Sequence, residues 1–212
     1  MPELPPFQQW FVELISMISN VLIGAAAVAG IIGLRQWRRE LIGKTKFEIA
    51  HKIALLALQA QNEFSKARNP LTLGYESAER PKHDNETPEI KDVRDEHFAR
   101  IMRLKPLSET LTKLEEASWE AELLLDGDIE ASVEPLSTGY KKLYASIQSH
   151  FRARERLAER RSTIMGADEA WADNLTLIIY GTGDDEFSKP INNAITDLKS
   201  KLKQYLRYSS LD

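Results

Sequence analysis

The feature that most constrains this chain is a run of 21 residues, from Leu14 to Leu34, without a charged side chain. An α-helix needs about 20 apolar residues to cross the hydrocarbon core of a bilayer. Every backbone amide inside lipid must be hydrogen-bonded within the segment, so a single spanning segment has to be helical. The sequence therefore predicts an N-terminal tail and transmembrane helix over residues 1–36 and a separate region over residues 37–212.

The flanks of the run predict its orientation. A tryptophan lies on each side, where indole side chains prefer the boundary between lipid and water. No Lys or Arg precedes the run, whereas six occur within residues 35–52. Because basic residues favour the cytoplasmic side, we expect the N-terminus outside and residues 37–212 in the cytoplasm. The residues predicted to anchor the chain at the membrane interface are Trp10, Trp37, Arg35, Arg38 and Arg39.

Two other structures are compatible with an apolar N-terminal run. A cleavable signal peptide requires a basic segment before the run, which is missing, although residues 27–29 loosely resemble a cleavage site. A core helix of a soluble protein requires polar positions at helical spacing, and residues 21–34 contain none. The pattern favours the transmembrane helix over both.

Small residues recur along one face of the predicted span. Ala25, Ala29 and Gly33 repeat every four residues, and Ala26 and Gly30 lie beside them. Small side chains at this spacing allow two helix backbones to approach closely, which predicts helix–helix packing and a homo-oligomer. Glycine and alanine are also frequent in membrane helices that do not associate, and the sequence leaves both interpretations open.

The remainder of the chain is polar and acidic. Residues 53–212 contain 22 Lys or Arg and 28 Asp or Glu, a net charge of −6, which makes a nucleic-acid partner an unlikely fit. The chain contains no cysteine, so disulfides, thiol nucleophiles and cysteine metal sites are excluded.

Helical periodicity dominates after the span, and we expect an all-α fold. Pro70 should end one helix, Thr87 followed by Pro88 should begin the next, Gly127 should break it, and Asp128 should cap its successor. The predicted helices are four long ones over about 38–68, 87–126, 128–161 and 187–208, and a short one over about 167–180. Short connections between long amphipathic helices favour an antiparallel bundle.

Several short motifs resemble those of a known group. They are WRRELIGK (Trp37 to Lys44), EIA (Glu48 to Ala50), RNP (Arg68 to Pro70) with Glu76, Glu79 and Arg80, and DEFS (Asp185 to Ser188). Together they resemble a group of uncharacterised bacterial single-pass membrane proteins with a helical cytoplasmic region. The resemblance implies the inner membrane of a bacterium as the location. It implies no activity, cofactor or catalytic residue.

The polar residues give no catalytic or metal-binding pattern. The four histidines are His51, His83, His97 and His150, and no two of them are three or four residues apart, as a pair of ligands on one helix face would be. The acidic residues 184–186 are best explained as a cap on the last helix. Arg68, at a predicted helix end, is expected to cap carbonyls or to pair with Glu76 or Glu79. We therefore predict no catalytic residue, no metal site and no cofactor.

Three functions fit these observations. The first is a non-enzymatic, membrane-anchored scaffold that presents a cytoplasmic helical bundle to an unidentified protein partner. The second is an oligomeric pore-forming or membrane-perturbing effector whose cytoplasmic bundle senses a signal and in which Ser16, Ser19 and Asn20 line the pore. The third, with the least support, is an enzyme with a site inside the bundle.

Overall fold

The computed structural model describes residues 6–83, 86–160, 174–181 and 183–207. Every regular element in these ranges is helical, which confirms the all-α prediction for this part of the chain. The elements are α1 (Pro6–Ala67), a one-turn 3-10 helix (Gly74–Ser77), α2 (Pro88–Leu124), α3 (Ile129–Arg160), α4 (described over 174–179) and α5 (Ser188–Leu206).

The chain divides into two compact units, Met1–Thr45 and Lys46–Asp212. We call them the N-terminal unit and the helical unit. Among the described residues, one helix is long and apolar enough to cross a membrane, and none of its apolar window is buried. Leu22 and Ile23, for example, are 63% and 67% exposed. A core helix of a soluble protein would bury such a window, so the N-terminal part of α1 is a candidate membrane span.

The helical unit is built around one hydrophobic core. The second part of α1 contributes mostly alanines, which let neighbouring helices approach closely, and α2, α3 and α5 contribute larger side chains. Fully or almost fully buried residues include Ala50, Ile53, Ala57, Ala60, Leu107, Leu114, Leu136, Leu143, Ile147, Ile195 and Leu198. They recur at steps of three, four or seven residues along each helix, as the sequence pattern indicated.

Polar contacts join the helices around this core. They are Lys52 with Glu120 and Gln59 with Thr110 between α1 and α2, Arg94 with Glu155 and Glu115 with Ser137 between α2 and α3, Ser132 with Asp197 between α3 and α5, and Gln61 with Asn192 between α1 and α5. The helices therefore have specific partners and a specific register.

Local sequence signals account for the helix ends. The Thr87 hydroxyl accepts a hydrogen bond from the Ile90 amide, with Pro88 in the first turn. Gly127 has φ of 121°, a left-handed conformation that favours glycine. The Asp128 carboxylate then accepts from the Ala131 amide at the start of α3.

One boundary differs from its predicted position. The helix expected from about residue 38 is the continuation of α1, which passes through Gly43. Pro106 lies inside α2, which continues on both sides of it. The first part of the helix predicted over 167–180 lies outside the described residues.

Candidate functional site

Two arginines of α2 hold the backbone of the segment between α1 and α2. We call residues 68–87 the connector. Its carbonyl groups at residues 69–71 have no helical partners and need other donors. Arg100 donates to the carbonyls of Asn69 and Pro70, the latter at 2.8 Å, and Arg103 donates to those of Asn69 at 2.8 Å and Leu71. The start of the connector is therefore fixed in one conformation.

The same two arginines also contact Glu76 of the connector and Tyr180. Arg103 also forms an ion pair with Glu76, with 2.7 Å between the guanidinium and the carboxylate. Arg100 is fully buried and stacks on the Tyr180 ring at 4.6 Å. Burial lowers the pKa of Arg100. Its Nε has no hydrogen-bond partner among the described residues.

A second ion-pair group fixes the other end of the connector. The buried Arg80 donates to Glu86 at 2.6 Å and to Asp95 at 2.5 Å. Arg94 bridges Glu86 to Glu155, at 2.9 and 2.5 Å. The hydrogen bonds from Arg80 and Arg94 lower the pKa of Glu86 to about 2, so this carboxylate stays ionised at any physiological pH.

These contacts turn the connector backbone inward and leave apolar side chains in solvent. Leu71, Leu73 and Tyr75 are 72%, 51% and 73% exposed, and Met102 on α2, next to Arg103, is 41% exposed. We call these four residues the connector patch. Exposed apolar side chains on one fixed segment are candidate anchors for a protein partner, and a rigid loop loses little conformational entropy when it binds.

A groove of about 330 Å³ lies beside the connector patch. Its lining residues are Thr72, Leu73, Gly74, Ser77, Asp92, Asp95 and Glu96. Asp95 is paired with Arg80, and Glu96 with Arg154 and the Tyr180 hydroxyl. Asp92 is exposed, which gives this side of the patch an acidic edge.

Arg68 joins three other parts of the helical unit. It is 2% exposed, and its guanidinium donates to Asp185 at 2.7 Å, to the Ser188 hydroxyl at 2.6 Å and to the carbonyls of Leu177 and Ile178 at 2.8 and 2.7 Å. These bonds use all five N–H groups of the side chain. The cavity of about 200 Å³ that Arg68 lines therefore offers no free guanidinium donor to a ligand.

The contacts of Arg68 explain two neighbouring features. A Cβ atom at Gly181 would overlap the Arg68 guanidinium and the Asp185 carboxylate, so a larger residue here would displace this ion pair. Burial raises the pKa of Asp185, but the hydrogen bonds from Arg68 and Ser188 outweigh it and leave the pKa below its usual value. Asp185 also accepts from the Ser188 amide at 2.9 Å at the start of α5, as expected of a capping residue.

Two histidines that are far apart in sequence meet at one phenylalanine. The rings of His97 and His150 each lie 5.1 Å from the Phe151 ring, and burial lowers the pKa of both. The Nε2 atom of His97 is buried without a hydrogen-bond partner among the described residues. The part of the chain that the structure describes contains no group of three or more residues placed to hold a metal ion.

The structure gives the predicted site residues different partners from those expected. Arg68 pairs with Asp185, whereas Glu76 pairs with Arg103 and Glu79 is exposed. The residues predicted for the membrane interface and for helix packing in the membrane are all exposed in the N-terminal unit: Trp10, Trp37, Arg35, Arg38, Arg39, Ala25, Ala26, Ala29, Gly30 and Gly33. An added Cβ at Gly30 or Gly33 would meet open space.

Sequence reasoning missed the arginines of α2. Arg100 occupies a core-facing position, seven residues after Val93 and four before Leu104, both of which are buried. An arginine in an apolar register is a detectable signal for a buried ion pair or carbonyl contact. Its partners, the connector carbonyls, are not detectable in this way.

Comparisons with protein-family models, with curated proteins and with solved structures give no match. The functional conclusion therefore depends on the residues and their geometry.

Proposed function

We propose that this chain is a membrane-anchored helical scaffold that presents the connector patch to a protein partner. In this proposal the N-terminal part of α1 crosses the inner membrane of a bacterium, and the helical unit lies in the cytoplasm. The 21-residue uncharged run, the exposure of its described side chains and the basic residues on one side of it support the anchor and its orientation.

The proposal includes an antiparallel arrangement of the four long helices in the helical unit. The order of the polar contacts supports it. Lys52 of α1 contacts Glu120 of α2, and Gln59 of α1 contacts Thr110 of α2. Residues further along α1 thus contact residues earlier in α2, as in antiparallel helices. The same inverse order relates α2 to α3 and α3 to α5.

The observation that carries the proposal is the rigid display of Leu71, Leu73 and Tyr75. A chain gains no stability from apolar side chains held in water, and here two arginines fix the backbone in that conformation. Binding energy at interfaces is concentrated in a few anchors, among which tyrosine is enriched. With Asp92 at its edge, the patch fits a partner segment that combines apolar side chains with a lysine or arginine.

Site-specific photo-crosslinking tests the proposal. A photoreactive phenylalanine analogue replaces Tyr75 in the full-length chain in its native membrane, and a matched chain carries it at Leu123, which is 85% exposed on α2. We expect one defined protein adduct at position 75. The adduct should disappear when Leu73→Asp is added and persist when Lys113→Gln, an exposed change elsewhere on α2, is added.

The purified adduct partner is then titrated against the full-length chain. The proposal predicts that Leu73→Asp weakens binding at least tenfold, since a central apolar anchor contributes about 1–2 kcal/mol or more. Identical adducts at positions 75 and 123, or unchanged binding by Leu73→Asp, would overturn it.

A further inference from the structure

Three arginines of the N-terminal unit share one face of α1. Arg35, Arg38 and Arg39 are all exposed and are spaced by three and four residues. At about 100° per residue they fall within a sector of about 100° around the helix. The nearest acidic residue, Glu40, lies about 100° further around from Arg39 and accepts a hydrogen bond from Gln36 at 3.2 Å. This face is therefore strongly basic.

The distance along the helix places this face at a defined depth, if the chain is anchored as proposed above. Leu34 is the last residue of the uncharged run, and Arg35 follows it directly. Arg35 to Arg39 covers about 6 Å of helix rise, similar to the thickness of one headgroup layer. Trp37, 60% exposed, lies within the same turn, where indoles favour the interface.

We propose that Arg35, Arg38 and Arg39 form a binding face for the phosphate groups of anionic phospholipids, an assignment that rests on the proposed membrane anchor. A guanidinium matches phosphate geometry with two parallel hydrogen bonds. Three of them on one helix face can engage neighbouring headgroups at the same depth. The phosphate of a zwitterionic lipid is neutralised by a cation in the same headgroup, so the three positive charges favour anionic over zwitterionic lipids around the chain.

Fluorescence quenching by spin-labelled lipids tests this proposal in the full-length chain. The chain has no cysteine, so Gln36→Cys provides a single site for a fluorophore beside the basic face. The chain is reconstituted into phosphatidylcholine vesicles that contain a small fraction of spin-labelled phosphatidylcholine or spin-labelled phosphatidylglycerol. The matched variants are a triple Arg→Gln change at 35, 38 and 39, and a triple Lys→Gln change at the exposed Lys113, Lys199 and Lys203 of the helical unit.

We expect both spin-labelled lipids to quench the fluorophore, with phosphatidylglycerol the stronger quencher. The preference for phosphatidylglycerol should fall at least about fivefold in the triple arginine variant, because even one basic residue near the surface contributes a factor of about five. It should persist in the triple lysine variant and decrease with added salt.

The possible outcomes test the phosphate-binding face of Arg35, Arg38 and Arg39, called the headgroup face, separately from the membrane anchor. Equal quenching by the two lipids, or a preference that survives in the triple arginine variant, would overturn the headgroup face and leave the anchor intact. Quenching by neither lipid would overturn the anchor. A preference that inorganic phosphate abolishes at constant ionic strength would assign the face to free phosphate and overturn the lipid assignment.

Discussion

Replacing Arg68 by methionine should destabilise the helical unit. The guanidinium is 2% exposed and joins α1 to the Leu177 and Ile178 carbonyls and to Asp185. Methionine fills a similar volume but donates nothing. The two carbonyls lose their arginine donors, and a partly buried carboxylate loses its counter-ion.

The structure sets the size of the effect. Breaking a buried ion pair by removing one partner costs about 3–5 kcal/mol. The side chain of Asp185 is 30% exposed, so water compensates part of the lost charge and the lower end of that range applies. We therefore expect Arg68→Met to lower the free energy of unfolding by about 3 kcal/mol. Arg156→Met, at an exposed arginine of α3, should change it by less than about 0.5 kcal/mol.

Urea unfolding of the full-length chain in micelles, followed by circular dichroism, measures this free energy. Amide hydrogen exchange adds the location, and we expect faster exchange around Leu177 and Ser188 in the variant. Arg68→Met should also cost less in an Asp185→Asn background, because the uncompensated charge is then absent. A loss below about 1 kcal/mol, or equal losses in both backgrounds, would refute the role assigned to this ion pair.

Three further predictions concern pH and association. The Glu86 carboxylate, with its pKa lowered to about 2 by two arginines, stabilises the fold above its usual value of 4.5. That stability is lost as the pH falls toward 2, and Glu86→Gln should remove this part of the acid transition in urea titrations. Burial lowers the pKa of His97 and His150 below 6.5. The unfolded chain thus binds more protons than the folded chain, and the free energy of unfolding falls as the pH drops below about 6.5. Glutamine at both positions should remove this dependence on pH. Gly30→Leu or Gly33→Leu should reduce chemical crosslinking of the chain to itself in vesicles.

Each of these predictions has a result that contradicts it. An acid transition that is unchanged by Glu86→Gln would show that the ion pairs of Glu86 do not stabilise the fold. A pH profile that keeps its slope near 6.5 after both histidines are replaced would place that titration elsewhere. Crosslinking that the leucine variants leave unchanged would show that the small-residue face does not mediate association.

The helix ends could be predicted from the sequence because they depend on neighbouring residues. Pro70, Thr87 and Gly127 act on their own backbone and on the next turn. The passage of α1 through Gly43 could not be inferred in the same way. A single glycine costs a helix only about 1 kcal/mol, which its neighbours offset.

The candidate site could be predicted only in part. Arg68 was identified as a structural residue, but its partner Asp185 lies 117 positions away, and such a pairing depends on how the helices pack. The connector patch also depends on how the helices pack. Leu71 and Leu73 are not distinguishable in the sequence from core residues. They are left in solvent because the α2 arginines hydrogen-bond the connector carbonyls.

The membrane anchor underlies both the proposed function and the lipid-binding face, and alkaline carbonate extraction of membranes that contain the full-length chain tests it directly. The intact chain should remain in the membrane pellet. Leu22→Arg together with Ile23→Arg should move it to the supernatant, because each arginine at the centre of a span costs about 2.5–3.5 kcal/mol and neither residue packs in the core of the helical unit. An intact wild-type chain recovered in the supernatant would contradict the membrane anchor.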